Sequence, residues 1–178
     1  MAKDNQKRFD GELLGATIRP IFIALKAAPQ LAERLLRSVG IEELKDDAWY
    51  DLNTVCALQQ AILAEVGRNA LTTVGMNMLE ATSPPPGVHD VASMMELMDA
   101  GYKAYARGRD IGGITCTFPE GREGRSAVLV FNLPTLCVIN MGTVRGCCKK
   151  FGGRPLIEHG TDGCVDEGGS SCTYRVTW

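Results

Sequence analysis

The 178-residue sequence has little net charge, few aromatic residues and only two histidines. Its 19 basic and 21 acidic residues give a formal net charge of −2, which provides no electrostatic attraction for nucleic acid. No apolar run approaches the roughly 20 residues that cross a bilayer, and the polar first residues do not form a signal peptide. We therefore expect a cytoplasmic protein with no membrane span and no nucleic-acid partner.

Sequence motifs of common enzymes are also missing. The chain shows no Ser/His/Asp grouping, no phosphate-binding glycine loop and no recognisable pair of carboxylates. The glycines of GREGR at 121–125 are typical of a turn between strands rather than of a phosphate site. We therefore expect a protein that is not an enzyme, and we assign no catalytic residue.

Length and hydrophobic patterning predict a polar tail over 1–12 and one ligand-binding-type domain over 13–178. Helical periodicity extends as far as Gly108, and the last helix of this part is predicted over 90–108. Short apolar or β-branched runs then predict strands, with one helix inserted over 138–151. The expected fold class is α+β, with an N-terminal helical layer packed on a C-terminal antiparallel sheet of about four strands. These strands are expected near 110–118, 125–134, 154–159 and 171–178.

Three local patterns lead to more specific expectations. Gly67 and Gly75 lie inside the long helix, and they indicate either a break near Gly67 or the close approach of another helix. The run SAVLVF at 126–131 is apolar at every position after its serine, which predicts a strand covered on both faces. Cys147 and Cys148 diverge by about 100° on a helix, so we expect one to be buried and the other to be more exposed.

The candidate metal ligands are concentrated between Cys137 and the end of the chain. Zinc takes tetrahedral nitrogen and sulfur ligands, and strands joined by a tight turn can bring His159, Cys164 and Cys172 together, with Cys137 as a fourth ligand. The C-x7-C spacing is less specific than paired CxxC motifs. In the alternative interpretation, Cys172 is an inward-facing strand residue and Cys164 is a turn residue.

A methionine-rich helix offers a second candidate site. Met94, Met98 and Tyr102 share one face of the helix predicted over 90–108, and flexible thioethers suit a pocket for an apolar ligand. The same stripe is also typical of a plain hydrophobic core. His89, which precedes this helix, has the chemistry to ligate haem iron but is explained as well by solvation.

The C-terminal segments GTDGCVDEGGSSCTYRVTW and VRGCCKKFGG resemble the end of the 4-vinyl-reductase-type small-molecule-binding domain. That domain shares a superfamily with haem nitric-oxide-binding domains and transport-particle subunits. Related bacterial proteins of unknown function, abundant in myxobacteria, also end in a TYRVxW-like strand. The resemblance implies a helical layer on an antiparallel sheet, a ligand pocket between the two layers, and a homodimer.

The resemblance also has implications for cofactors. Some phenol-sensing members bind structural zinc through cysteines whose spacing maps to Cys164 and Cys172, while an upstream cysteine maps loosely to Cys137. Their glutamate, three residues before the first cysteine, is replaced here by Thr161, so His159 or Glu158 would have to substitute. The Y-x-S-x-R signature of the haem proteins is absent, and on this ground haem is disfavoured.

The leading functional hypothesis is a non-catalytic sensor or binding module that takes a small apolar molecule between the methionine-rich helix and the sheet. A rival hypothesis is a scaffold or assembly subunit that acts through a homodimer or a protein partner. A third is an accessory role in reducing the vinyl group of a tetrapyrrole. This role would need a second protein, because the sequence offers no nucleotide site.

Overall fold

The computed structural model describes residues 9–80 and 83–178, and it has the predicted α+β architecture. The predicted tail lies partly outside the described residues, which begin at Phe9. None of the helices in the described ranges combines the length and hydrophobicity that a membrane crossing requires. The helices are α1 (Gly15–Ile18), α2 (Pro29–Ser38), α3 (Leu52–Glu80), α4 (Val91–Glu96), α5 (Met98–Lys103) and α6 (Cys137–Lys150), with a 3₁₀ segment over Arg19–Leu25.

The larger sheet is antiparallel and has the strand order β4-β5-β7-β6, in agreement with the four strands predicted from sequence. Pairing places Phe131 opposite Cys172, and His159 opposite Tyr174. The start of the central strand β7 therefore lies beside the end of the edge strand β6. The bounds are β4 (Gly113–Thr117), β5 (Ser126–Asn132), β6 (Leu156–His159) and β7 (Cys172–Thr177).

Only one face of this sheet is fully covered by the described part of the chain. Along β5, Leu129 and Phe131 are buried while Val128 and Val130 are half-buried, so the prediction of a strand covered on both faces is wrong. Valine favours extended backbone because its branched side chain suits a pleated surface, whether or not the residue is fully buried. An unbroken apolar run is therefore compatible with a half-exposed strand.

Helix α6 lies between α3 and the covered face of the larger sheet. Cys147 and Cys148 are both fully buried, so the expectation that one of them would be more exposed is wrong. The reason is that the cluster on this side of α6 includes α4 as well as the sheet, and the Cys147 sulfur contacts the carbonyl oxygen of Val91 at the start of α4. Val138 and Ile139 pack toward α3, whereas both cysteines belong to the apolar cluster against the sheet.

The two glycines of α3 have different roles: one breaks the helix, and the other allows another helix to approach closely. Gly67 has φ 76° and ψ 173°, which breaks the helix, and a Cβ added there would meet no atom within 4 Å. Gly75 instead lies where α3 crosses α6, and a Cβ there would overlap the carbonyl oxygen of Ile139. Gly142 faces it from α6, so the two helix backbones touch at this crossing.

The structure also contains a smaller sheet that the sequence analysis misses. Its strands are β1 (Asp10–Leu14), β2 (Trp49–Asp51) and β3 (Ala106–Asp110), in the order β2-β1-β3. The central strand β1 begins inside the predicted tail, and β3 occupies the end of the helix predicted over 90–108, which the structure divides into α4 and α5. A strand is predicted from alternating apolar and polar residues. These short strands carry charged residues and lack that alternation, so the sequence gives no signal for them.

Candidate metal centre

Four elements converge at one end of the larger sheet and bring four soft ligands together. Cys137 is the first residue of α6, His159 ends β6, Cys172 begins β7, and Cys164 precedes the 3₁₀ turn Val165–Glu167. One ligand atom from each residue lies within 4.8 Å of the ligand atoms of the other three. The four residues proposed as metal ligands from the sequence therefore form one cluster in space.

The sulfur spacing matches the demands of tetrahedral zinc. Two sulfurs bound at about 2.3 Å from a tetrahedral ion lie about 3.8 Å apart. The Sγ atoms of Cys164 and Cys172 are separated by 3.8 Å. Cys137 and Cys172 are buried, whereas Cys164 and His159 are half-buried, so the cluster lies just below the surface.

The imidazole of His159 has one nitrogen available as a ligand. Its Nδ1 lies 2.6 Å from the carbonyl oxygen of Gly160, and this contact assigns the proton of a neutral ring to Nδ1. Its Nε2 is buried and has no hydrogen-bond partner among the described residues. A backbone carbonyl that fixes the tautomer while the other nitrogen binds metal is the usual arrangement of a metal-binding histidine.

Hydrogen bonding selects Cys172 as the preferred thiolate of the cluster. The Cys137 thiol lowers the pKa of Cys172, against the effect of burial, and the amide N–H of Val165 at 3.3 Å from its sulfur assists. The same pairing with Cys172, together with burial, raises the pKa of Cys137. Because the thiolate is the form that binds metal, a ligand in the required state is already favoured here.

Two further residues hold Cys137 in place. The Tyr174 hydroxyl lies 3.3 Å from the Sγ atom of Cys137 and 3.4 Å from its carbonyl oxygen. Asp166 Oδ1 accepts a hydrogen bond of 2.9 Å from the backbone N–H of Cys137. The Tyr174 ring also meets the His159 ring edge to face, at 5.3 Å between centroids.

The sequence analysis does not identify either of these supporting residues. The alternation along β7 places Tyr174 on the same face as Cys172, and this is the only available signal. Nothing in the sequence distinguishes Asp166 from the other acids of a polar turn. Its role arises from the folded geometry: the residue is exposed, but its carboxyl group is partly buried where it bonds Cys137, and this partial burial raises the pKa of that group.

The residues proposed to bind a small molecule lie elsewhere. Met94 and Met98 are buried in the apolar cluster under the larger sheet, together with Phe131. Tyr102 is half-buried, and its hydroxyl donates a hydrogen bond to the carbonyl oxygen of Ile111. In the described structure these side chains belong to a packed core, and their role in ligand binding stays a prediction.

Comparison with known proteins identifies the fold. No protein-family model matches the sequence, and no curated protein is similar to it. Solved structures of H-NOX proteins do match. They include an Fe(II) unliganded mutant from K. algicida, with a TM-score of 0.71 and 12% identity over 93% of this chain and 96% of that chain. A mutant H-NOX protein from T. tengcongensis gives a TM-score of 0.67 and 16% identity over 92% and 93% of the two chains.

These identities establish a shared fold. An Fe(II) H-NOX mutant from S. oneidensis likewise has a TM-score of 0.69 and 14% identity over 93% of this chain and 95% of that chain. The resemblance to the haem nitric-oxide-binding part of the superfamily is therefore confirmed at the level of the fold. The likeness to vinyl reductases and to the myxobacterial group gains no support from these neighbours.

The expectation that haem is disfavoured is wrong. Solved structures with this fold include one from work on modulating heme redox potential through porphyrin distortion and one from work on heme distortion in the H-NOX family. Haem is retained by an axial ligand and by the polarity and shape of its pocket, so one missing short signature does not exclude it. The argument from the absent Y-x-S-x-R signature therefore fails for this fold.

The described residues allow a direct test of the fit to haem. Axial ligands of haem iron are His, Cys, Met or Tyr, and α4 and α5 supply Met94, Met95 and Met98 on the covered face of the larger sheet, with the half-buried Tyr102 packed beside them. Each of these methionines is less than a tenth exposed, whereas the His89 side chain is 78% exposed. In this arrangement the methionines themselves occupy the layer between these helices and the sheet, so a porphyrin would enter it only if α4 and α5 moved.

Proposed function

We propose that this chain is a non-catalytic sensor or binding module whose larger sheet is held together by a structural zinc ion. The ligands are Cys137, His159, Cys164 and Cys172. The observation that carries the metal proposal is the unpartnered Nε2 atom of His159 in a cluster with three cysteine sulfurs. Four protein ligands leave no open coordination position, which is characteristic of a structural site rather than a catalytic one.

A catalytic interpretation of the same residues is less favourable. A cysteine with a depressed pKa beside a histidine has the chemistry of a nucleophile–base pair. Cys172, however, is fully buried, so a substrate cannot reach its sulfur in this structure. Ligation of a small ion explains a buried thiolate without requiring access for a substrate.

The ion would stabilise a segment that has little else to fix it. The turn between β6 and β7 is polar and rich in glycine, and within it Asp162 and Glu167 are exposed. A metal bound to Cys164 would fasten this turn to α6 and β7. Because the ligands come together only in the folded chain, metal binding would contribute to the free energy of folding.

The binding role is supported by the fold shared with H-NOX proteins. The ligand class we propose is a small, flat, apolar molecule held between the α4–α5 pair and the larger sheet, and haem is the first candidate to test. Since Met94 and Met98 fill this layer in the structure, ligand entry requires these helices to move. The scaffold, homodimer and vinyl-reduction alternatives stay predictions.

Elemental analysis tests the metal proposal, using protein purified without a metal-affinity step. We expect about one zinc per chain, and a lower melting temperature after treatment with a chelator. The two histidines provide a matched pair of variants: His159→Gln should lower the zinc content, while His89→Gln at the exposed position should not. Absence of zinc from the unmodified chain, with no effect of the chelator, would overturn the metal proposal.

The ligand proposal needs a separate measurement. Haem added to the purified chain should give a saturable absorption change, and Met98→Ala should alter its midpoint more than Met78→Ala does. An apolar dye titrated in the same way tests the broader ligand class. If neither probe binds, the small-molecule role is wrong while the metal centre is unaffected.

A further inference from the structure

A cleft of about 460 Å³ lies at the end of the larger sheet opposite the metal-ligand cluster. The cluster includes Cys172 at the start of β7, whereas the cleft is lined by Trp178, six residues further along the chain. At about 3.3 Å per strand residue the two sites are about 20 Å apart. They share no residue, and the volume of the cleft is typical of a small-molecule site.

Two aromatic rings line this cleft and are held in place. Phe151, which follows α6, and Trp178, which follows β7, are half-buried and pack against the apolar cluster under the larger sheet. The Trp178 backbone N–H donates a hydrogen bond of 3.0 Å to the carbonyl oxygen of Arg125. Gly153 lies against Trp178, since a Cβ added to this glycine would be 3.4 Å from the tryptophan Cβ. The rings therefore offer a fixed apolar surface to the body of a ligand.

Charged groups of both signs line the cleft beside these rings. Arg122, Glu123 and Arg125 belong to the turn between β4 and β5, and Asp90 precedes α4. Arg122 Nη2 lies 3.1 Å from Glu96 Oε2, and this ion pair joins the turn to α4. The side chains of Arg125 and Glu123 have no ion-pair or hydrogen-bond partner in the part of the chain that the structure describes. Their charges are available to a ligand.

The Asp90 carboxylate has one oxygen bound within the helix start and one available. Its Oδ1 accepts hydrogen bonds from the backbone N–H of Ser93 at 2.7 Å and from the Ser93 hydroxyl at 2.6 Å. Its Oδ2 lies 3.7 Å from Nε2 of the exposed His89 ring, which is too far for a hydrogen bond. This oxygen can therefore accept a hydrogen bond from a ligand cation while the carboxylate keeps its capping contacts.

We propose that this cleft binds a free amino acid with an aromatic side chain. Arg125 binds the carboxylate of the ligand, and Asp90 Oδ2 accepts a hydrogen bond from its ammonium group. The ring of the ligand packs on Phe151 and Trp178. A purely anionic ligand would face the unpaired carboxylate of Glu123, and a purely cationic one would leave Arg125 unpaired, so the mixed charge of the lining favours a zwitterion. The site depends on neither the metal centre nor the methionine-rich layer.

Fluorescence of Trp178 provides the measurement, in the intact chain carrying Trp49→Phe, because the sequence has only two tryptophans. Phenylalanine, under excitation selective for tryptophan, should give a saturable change. N-acetylphenylalanine lacks the ammonium charge and phenethylamine lacks the carboxylate. Each should bind at least about tenfold more weakly, because a charge-assisted hydrogen bond is lost. Titration calorimetry with the same three compounds repeats the comparison on the unmodified chain.

A pair of arginine variants identifies the carboxylate-binding group. Arg125→Gln should weaken phenylalanine binding at least about tenfold and leave phenethylamine binding unchanged, since that compound has no carboxylate. Arg145→Gln, at an exposed position of α6 outside the cleft, is the matched control and should change neither.

Three results would overturn the proposal. They are no saturable response to phenylalanine, N-acetylphenylalanine binding as tightly as phenylalanine, and equal effects of the two arginine variants. Zinc content and haem titration measure the proposed function separately, so a failure here leaves the metal centre and the small-molecule role unaffected.

Discussion

The two sheets of this molecule are stabilised in different ways. The larger sheet has one buried face, on which Leu129, Phe131 and Tyr174 pack against helices, and a cluster of metal-ligand residues at one end. The smaller sheet pairs short charged strands, and ion pairs join Glu12 to Arg107 and Asp10 to Arg109. A sheet with a core face leaves a periodic pattern in the sequence, whereas a sheet paired through backbone and charge does not.

The largest expected effect is on the metal-ligand cluster. Cys172→Ser removes the favoured thiolate, so we expect loss of zinc and a melting temperature lower by about 10 °C, because losing a bound metal is among the few changes that cost about 4 kcal/mol. Cys116→Ser is the matched control, since it removes a half-buried thiol from the edge strand of the same sheet. Equal zinc content and melting in the two variants would contradict the claim that a metal supports the larger sheet.

The second prediction concerns the helix that backs the larger sheet. Gly142→Ala should cost about 3 kcal/mol, because its Cβ would overlap the carbonyl oxygen of Thr72 on α3 and the backbones would have to separate. Gly101→Ala, in α5, has no neighbour within 4 Å and should instead stabilise the chain by about 0.5–1 kcal/mol. Urea unfolding measures both changes, and a neutral Gly142→Ala would show that the crossing can open.

The larger sheet has a buried face and the smaller one does not, and this difference explains which parts of the fold and of the site the sequence predicts. Alternation of Cys172, Tyr174 and Val176 identifies β7 and its buried face, and soft ligands near strand ends identify the cluster residues. The positions of Tyr174 and Asp166 around Cys137 depend on long-range packing that single-sequence patterns do not contain.

The sequence does not predict the smaller sheet, and the physical reason is a separate one. Its register joins Glu12 to Arg107 across the length of the chain, and local periodicity carries no information on such pairing. The expectation against haem is wrong for a similar reason, because one short signature does not represent a whole fold. In both cases the missing information lies in three-dimensional placement rather than in residue type.

A smaller effect is expected at the start of α4, which packs under the larger sheet. Hydrogen bonds from the Ser93 side chain, and then from its backbone N–H, lower the pKa of Asp90 from its ordinary value of 3.8. Asp90→Ala should therefore cost about 1 kcal/mol at neutral pH, as the loss of a helix cap does. The ionised carboxylate makes these contacts, so the contribution is present above pH 3.8 and is lost as pH falls through the lowered pKa.

Urea unfolding at pH 7 and near pH 3 checks whether the stabilisation by Asp90 is lost as the pH falls. The difference between the unmodified chain and Asp90→Ala should shrink at the lower pH. Asp47→Ala, at an exposed loop position, is the control and should change stability little at either pH. A difference that grows on acidification would contradict the assignment of the cap to the ionised carboxylate.

The smallest effect is expected in the smaller sheet. Glu12→Gln removes the partner of Arg107, whose guanidinium also lies 4.2 Å from the centre of the Trp49 ring. The Arg107 and Glu12 side chains are 55% and 42% exposed, so water screens the pair and its loss should cost less than about 1 kcal/mol. The stacking on Trp49 does not depend on Glu12 and should retain the arginine at its place.

A double-mutant cycle with Glu12→Gln and Arg107→Gln isolates the coupling between the two side chains. We expect about 0.5 kcal/mol at low ionic strength and less in about 1 M salt, where the screening length falls to about 3 Å. Neither variant should change the zinc content, because this sheet contributes no ligand to the cluster. A coupling that survives high salt, or a loss of zinc, would show that the smaller sheet supports the metal centre and that the two sheets do not act separately.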